Sequence, residues 1–184
     1  HLVSAANARL QPHAPLQIGT ARSFEDQEGL AVWLEERAGV LDGGRMRTLA
    51  ARYVAAQTFF DGASFGETAR VLHRRHGLRA EDALVTAERV HRGGGIARDA
   101  VYLPAYLRVR DALGSARATI HELQRGRASL DALPELARLE EEGWVVPAFY
   151  RPSLALSLGA TGLGTSLETS PPSLVTSLQR PEAT

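Results

Sequence analysis

The stretch Phe24-Glu25-Asp26-Gln27-Glu28-Gly29-Leu30-Ala31-Val32-Trp33-Leu34-Glu35-Glu36 constrains this chain most, because it joins a cluster of acids to an apolar stripe. Leu30, Leu34 and Leu41 are spaced for one face of a helix. Glu25, Asp26 and Glu28 crowd its first turns, where the helix dipole favours negative charge. Glu28 precedes a glycine and borders the apolar stripe. A carboxylate turned toward a core needs a partner, since burying it alone is costly. That partner is an arginine or a metal ion.

Around this helix the chain reads as a series of short helices separated by glycine and proline. Leu2, Ala5, Ala6 and Leu10 give residues 1–10 a rough apolar face, and Pro12 and Pro15 stop that helix. Residues 12–23 read as a loop, with Ser23 as the N-cap of the Glu28 helix. That helix is expected to run to about Val40. Leu49, Tyr53, Ala56 and Phe60 mark the inward face of the next, from Met46 to Phe60. Ser64 followed by Glu67 has the capping-box spacing, and Gly77 closes the helix that it opens. Ala80–His91 follows with Leu84, Ala87 and Val90 inward. Arg98–Leu113 carries Val101, Leu103, Leu107 and Val109, with Pro104 expected to kink or delay it. Two shorter helices are expected near 115–123 and 129–142.

After Arg151 the composition shifts to Ser, Thr, Leu, Gly and Pro, and no helical stripe survives. Residues 151–184 therefore read as a low-complexity, disordered tail. The irregular Ser-Leu dipeptides do not make a solenoid repeat.

Composition removes several classes. The formal charge is zero, so nothing draws the chain to nucleic acid or to an anionic membrane. There is no cysteine, which excludes disulfides and thiolate metal sites and leaves His, Asp and Glu as metal ligands. No apolar run approaches the ~20 residues of a membrane span, and no secretory signal is visible. A cytoplasmic location follows as the expectation.

Gln27-Glu28-Gly29-Leu30-Ala31 resembles the signature of the flavohemoglobin expression-modulating QEGLA motif family, itself similar to the microtubule-associated tyrosine carboxypeptidases. The resemblance covers roughly residues 1–150. Members of that family carry a zinc-peptidase motif, H-E-x-x-x-H, upstream of the glutamate. The opening His1-Leu2-Val3-Ser4-Ala5-Ala6-Asn7-Ala8-Arg9 looks like the family's segment from the motif's second histidine onward. The resemblance implies that His1 and Glu28 are two zinc ligands, and that the first histidine and the general-base glutamate are missing. The chain is then expected to be the C-terminal part of a truncated member.

The same resemblance marks three substrate-binding candidates. Asn7 follows the motif closely and either faces substrate or pairs with local backbone. Arg92, before Gly93-Gly94-Gly95, looks like the family's Arg-Gly element, where an arginine fork suits a terminal carboxylate, or is simply a solvated helix-end arginine. Tyr102, in Asp99-Ala100-Val101-Tyr102-Leu103-Pro104, is placed to donate to an oxyanion or simply sits half-buried in the core. His73 and His76 have a metal-pair spacing but lie beside Arg74 and Arg75, which repel cations.

The expected fold is mainly α: residues 1–150 as the helical C-terminal part of a zinc-metallopeptidase-like domain, then the tail. The expected function is zinc-dependent, carboxypeptidase-type hydrolysis in the intact parent, acting on a peptide or protein C-terminus, with the fragment itself inactive. A non-enzymatic protein that modulates expression is the alternative.

Overall fold

The computed structural model describes residues 1–93 and 96–151, and all regular structure among them is helical. The tail expected over 151–184 lies, apart from Arg151, outside the described residues. Helix α1 spans Leu2–Leu10, and Gln11 before Pro12 leaves it in an extended conformation. A short α2, Ala14–Ile18, stands where a loop was expected. Its five residues are too few to show a periodicity.

Helix α3, Ser23–Arg37, carries Glu28. Ser23 is not its N-cap: Arg22 holds that position in a left-handed conformation, φ 60°. Helix α4 spans Gly43–Phe60 and is capped by Asp42, which accepts from the Arg45 amide. Helix α5, Phe65–His76, has the expected capping box between Ser64 and Glu67 and ends on left-handed Gly77. Helix α6 spans Ala80–His91, and α7 runs over Ile96–Gly114. Helix α7 continues on both sides of Pro104, which is exposed. A second capping box, Thr119 with Glu122, opens α8, Ile120–Leu123. A 3-10 turn at Leu130–Ala132 leads into α9, Leu133–Glu141.

Several inward faces differ from expectation. Leu84, Leu107 and Phe60 are about half exposed, while Ala83, Ala105, Tyr106 and Ala112 are buried. Small residues let the helices approach closely, and the packed face falls beside the large side chains rather than on them.

Helices α5 and α6 pack on α4 around Ala55, Leu72, Ala87 and Val90. The larger core gathers Leu30, Val109, Leu123, Leu133, Leu136 and Val145, which brings α3 and α7 against the segments after residue 117. Val32, Leu49 and Tyr106 join the two groups. Helices α3 and α7 approach closely at Gly29: a β-carbon there would collide with the Ala105 carbonyl and lie 2.9 Å from the Tyr106 nitrogen. Gly29 therefore lets α3 lie against α7, and that contact sets Glu28 next to Tyr102. No helix of the described residues is long and apolar enough to cross a membrane.

Candidate metal centre

Helix α1 turns its polar side inward. Ser4, Asn7 and Gln11 are buried, while Leu2 is 88% exposed, the reverse of the face expected from Leu2, Ala5, Ala6 and Leu10. The reason is a backbone that needs donors and acceptors. Residues 123–129, buried except for Arg127, form a strap with little regular structure, and buried carbonyls must be bonded. Gln27 donates to the carbonyls of Leu123 and Ala128, Asn7 to Gln124, and Gln11 to Arg125. The Thr20 amide donates to the Arg127 carbonyl.

Asn7 has no capacity left for a substrate. Its amide donates to the Gln124 carbonyl at 2.7 Å and the Tyr150 carbonyl at 2.9 Å, and its oxygen accepts from the Phe149 and Tyr150 amides. It clamps α1 to two distant segments, which corrects its assignment as substrate-facing. Gln11 repeats the pattern, donating to Val146 and accepting from its amide.

At the start of α1, on the same face as Ser4, stands His1. Its Nε2 lies 3.7 Å from Oε2 of Glu28, with the two side chains 56% and 13% exposed. Two ligands about 2.0–2.2 Å from a tetrahedral zinc lie roughly 3.3–3.5 Å apart. A shift of a few tenths of an ångström would let both atoms share one ion, so this donor pair fits a zinc site in geometry and in chemistry. A third ligand does not join them: among the described residues no group of three His, Cys, Asp or Glu converges. His73 and His76 offer no rival, since His73 is exposed and its Nδ1 is held by the Leu78 carbonyl at 2.8 Å.

Tyr102 comes to the same place from α7. Its hydroxyl neighbours the Glu28 carboxylate, and burial followed by that negative charge raises its pKa. It therefore stays a protonated donor at neutral pH. Arg98, one turn earlier, also neighbours the hydroxyl. Sequence reasoning missed Arg98, although its i, i+4 spacing from Tyr102 puts the two on one face of α7. The Arg92 side chain is 71% exposed and pairs with Glu88 at 3.5 Å, as a solvated helix-end arginine would.

A cleft of about 330 Å³ opens at the pair, lined by His1, Ser4, Ile18, Ser23, Phe24, Gln27, Glu28 and Arg127. Helix α3 also joins an ion network. The buried Asp26 accepts from the Leu130 amide at 2.7 Å and faces Arg108 at 3.4 Å; Arg108 also binds Asp131. A separate pair, Arg89 with the buried Asp99 at 2.6 Å, fixes the start of α7 against α6.

Fold and cleft together define the class: a helical protein with a histidine–carboxylate pair in the wall of a cleft. The chain belongs to the family described as microtubule-associated tyrosine carboxypeptidase, whose model matches residues 1–162. That match bears out the resemblance read from Gln27-Glu28-Gly29-Leu30-Ala31 and extends past the boundary near 150 expected for it. No curated protein and no solved structure matches the chain. Membership points to carboxypeptidase-type activity on peptide or protein substrates.

Proposed function

We propose that the His1–Glu28 pair is two-thirds of a zinc site that serves removal of the last residue from a peptide or protein chain. One observation carries this reading: the 3.7 Å approach of two good zinc ligands from separate helices, at the mouth of a cleft. Bound there, zinc would supply a Lewis acid and a nucleophilic water. His1 would bind through Nε2 and Glu28 through a carboxylate oxygen. Tyr102, held protonated by burial and by Glu28, would donate its hydroxyl proton in a hydrogen bond to an oxyanion formed beside it. The family's description supports a C-terminal residue as the leaving group, with tyrosine its named example. In the family's motif, H-E-x-x-x-H, His1 would be the second histidine. The third ligand and the proton acceptor belong to the motif's first histidine and its glutamate in the reading proposed here.

The test is zinc stoichiometry after dialysis against a weak chelator, in a chain with His-Glu-x-x-x placed ahead of His1. Glu28→Gln replaces an anionic ligand by a neutral one of the same shape. Its zinc affinity is expected to fall at least about tenfold, roughly 1.4 kcal/mol. Glu25→Gln, one turn earlier and paired with Arg22, is expected to behave as wild type. Equal retention by all three removes Glu28 from the site.

A further inference from the structure

Arg127 lines the cleft with no carboxylate paired to it among the described residues. The neighbouring arginines are engaged: Arg22 with Glu25 and Asp131, Arg108 with Asp26 and Asp131, Arg125 with Glu140. Arg127 makes no ion pair or side-chain hydrogen bond among the described residues, yet it lines the same cleft as His1 and Glu28.

Its backbone is held as firmly as its side chain is free. The flanking carbonyls of Leu123, Gln124, Arg125 and Ala128 are bound by Gln27, Asn7 and Gln11. The Arg127 carbonyl accepts from the Thr20 amide at 3.1 Å. Gly126 packs so closely that a β-carbon would lie 3.2 Å from the Leu16 carbonyl. The fixed strap anchors the Cα of Arg127 at the cleft, and its unengaged guanidinium can bind a carboxylate through two parallel N–H donors. Beside it, Ile18 and Phe24 are 76% and 54% exposed and form an apolar rim.

We propose that Arg127, not Arg92, holds the substrate's terminal carboxylate, and that Ile18 and Phe24 receive a large apolar or aromatic side chain of that last residue. The assignment rests on the carboxypeptidase reading for its substrate class, but its test does not require turnover or zinc.

The experiment titrates the full chain with two blocked tripeptides, acetyl-Gly-Ala-Phe with a free carboxylate and the same peptide as its C-terminal amide. Binding is followed by calorimetry and by the Arg127 Nε resonance. The free acid is expected to bind at least about tenfold more tightly than the amide, the scale of one charge-assisted contact. Arg127→Gln is expected to abolish that preference without changing thermal unfolding, because the side chain bonds to nothing among the described residues. Arg127→Lys is expected to retain part of it, as a charge without the fork. Arg92→Gln and Arg98→Gln are expected to keep the preference, and acetyl-Gly-Ala-Gly is expected to bind more weakly than the Phe peptide. Equal binding of acid and amide by wild type overturns the proposal, as does a preference that survives Arg127→Gln. A preference lost in Arg98→Gln but kept in Arg127→Gln moves the carboxylate to α7 and also overturns it. Zinc stoichiometry in the chain with His-Glu-x-x-x placed ahead of His1 separates the two readings: no zinc binding there, with the acid preference intact, would sink the metal site alone.

Discussion

The half built from α4, α5 and α6 and the half that carries His1 and Glu28 bury different chemistry. In the first, the interior is Ala51, Ala55, Ala69, Leu72, Ala83, Ala87 and Val90, and its one buried polar residue, Thr68, bonds His91. In the second, Ser4, Asn7, Gln11, Asp26, Gln27, Gln124, Arg125 and Ser129 are buried alongside the apolar core. Close-packed volume holds the first half together. The second adds directional bonds from side chains to an irregular backbone. A cleft needs such backbone, since a cation can be aimed into it only from a segment whose position is fixed and whose side chain is not engaged.

The largest effect that would sharpen this contrast comes from one substitution made in each half. Gly29→Ala drives a β-carbon into the backbone of Ala105, which cannot move without α7. It is expected to cost about 3 kcal/mol or more, the upper range of overpacking. Gly66→Ala, in α5 with nothing within 4 Å, is expected to stabilise by no more than about 1 kcal/mol. Urea denaturation of both variants checks the opposite signs; similar behaviour would mean that α3 and α7 are not locked at Gly29.

A second pair tests volume against direction. Leu72→Ala, fully buried, is expected to cost about 2–5 kcal/mol through the cavity it leaves. Asn7→Leu keeps the size and strips four hydrogen bonds, at about 1–3 kcal/mol for each buried group left unpaired. Amide exchange locates the damage: Asn7→Leu should speed exchange at Phe149 and Tyr150 and leave α5 and α6 protected. Uniform loss of protection in both variants would break the comparison.

The smallest expected effect is a pH dependence confined to the site half. Burial raises the Asp26 carboxyl above its ordinary pKa, against the Leu130 hydrogen bond and Arg108. A raised value in the folded state means that its stabilising contribution is present below the ordinary carboxylate pKa and is lost as pH rises through the folded one. The unfolding free energy of wild type minus that of Asp26→Asn is therefore expected to grow as pH falls through that window. Denaturation at a series of pH values reads the slope. A slope of the other sign would mean that the Leu130 hydrogen bond and Arg108 together outweigh burial at Asp26.

Local chemistry was legible in the sequence. The capping box at Ser64, the stop at Gly77 and the helix around Glu28 depend on residues a few positions apart. Glu28 bordering an apolar stripe announced a carboxylate in need of a partner, and Tyr102 and His1 now stand beside it. What failed was the choice of face. The apolar residues of α1 suggested one side, but the buried side is Ser4, Asn7 and Gln11.

The sequence by itself determined the helical class and most of the helix starts and stops, because spacing along one chain suffices for those; His1 and Glu28 entered as candidate metal ligands only through the family resemblance. Only the tertiary structure decided that Asn7 is a clamp, that Arg92 is engaged with Glu88, and that Arg98 and Arg127 stand near the site. The physical reason is distance along the chain. The bonds that place the strap join Asn7 to Gln124 and Gln11 to Arg125, 117 and 114 residues apart, and no local period encodes which carbonyl a buried amide will meet.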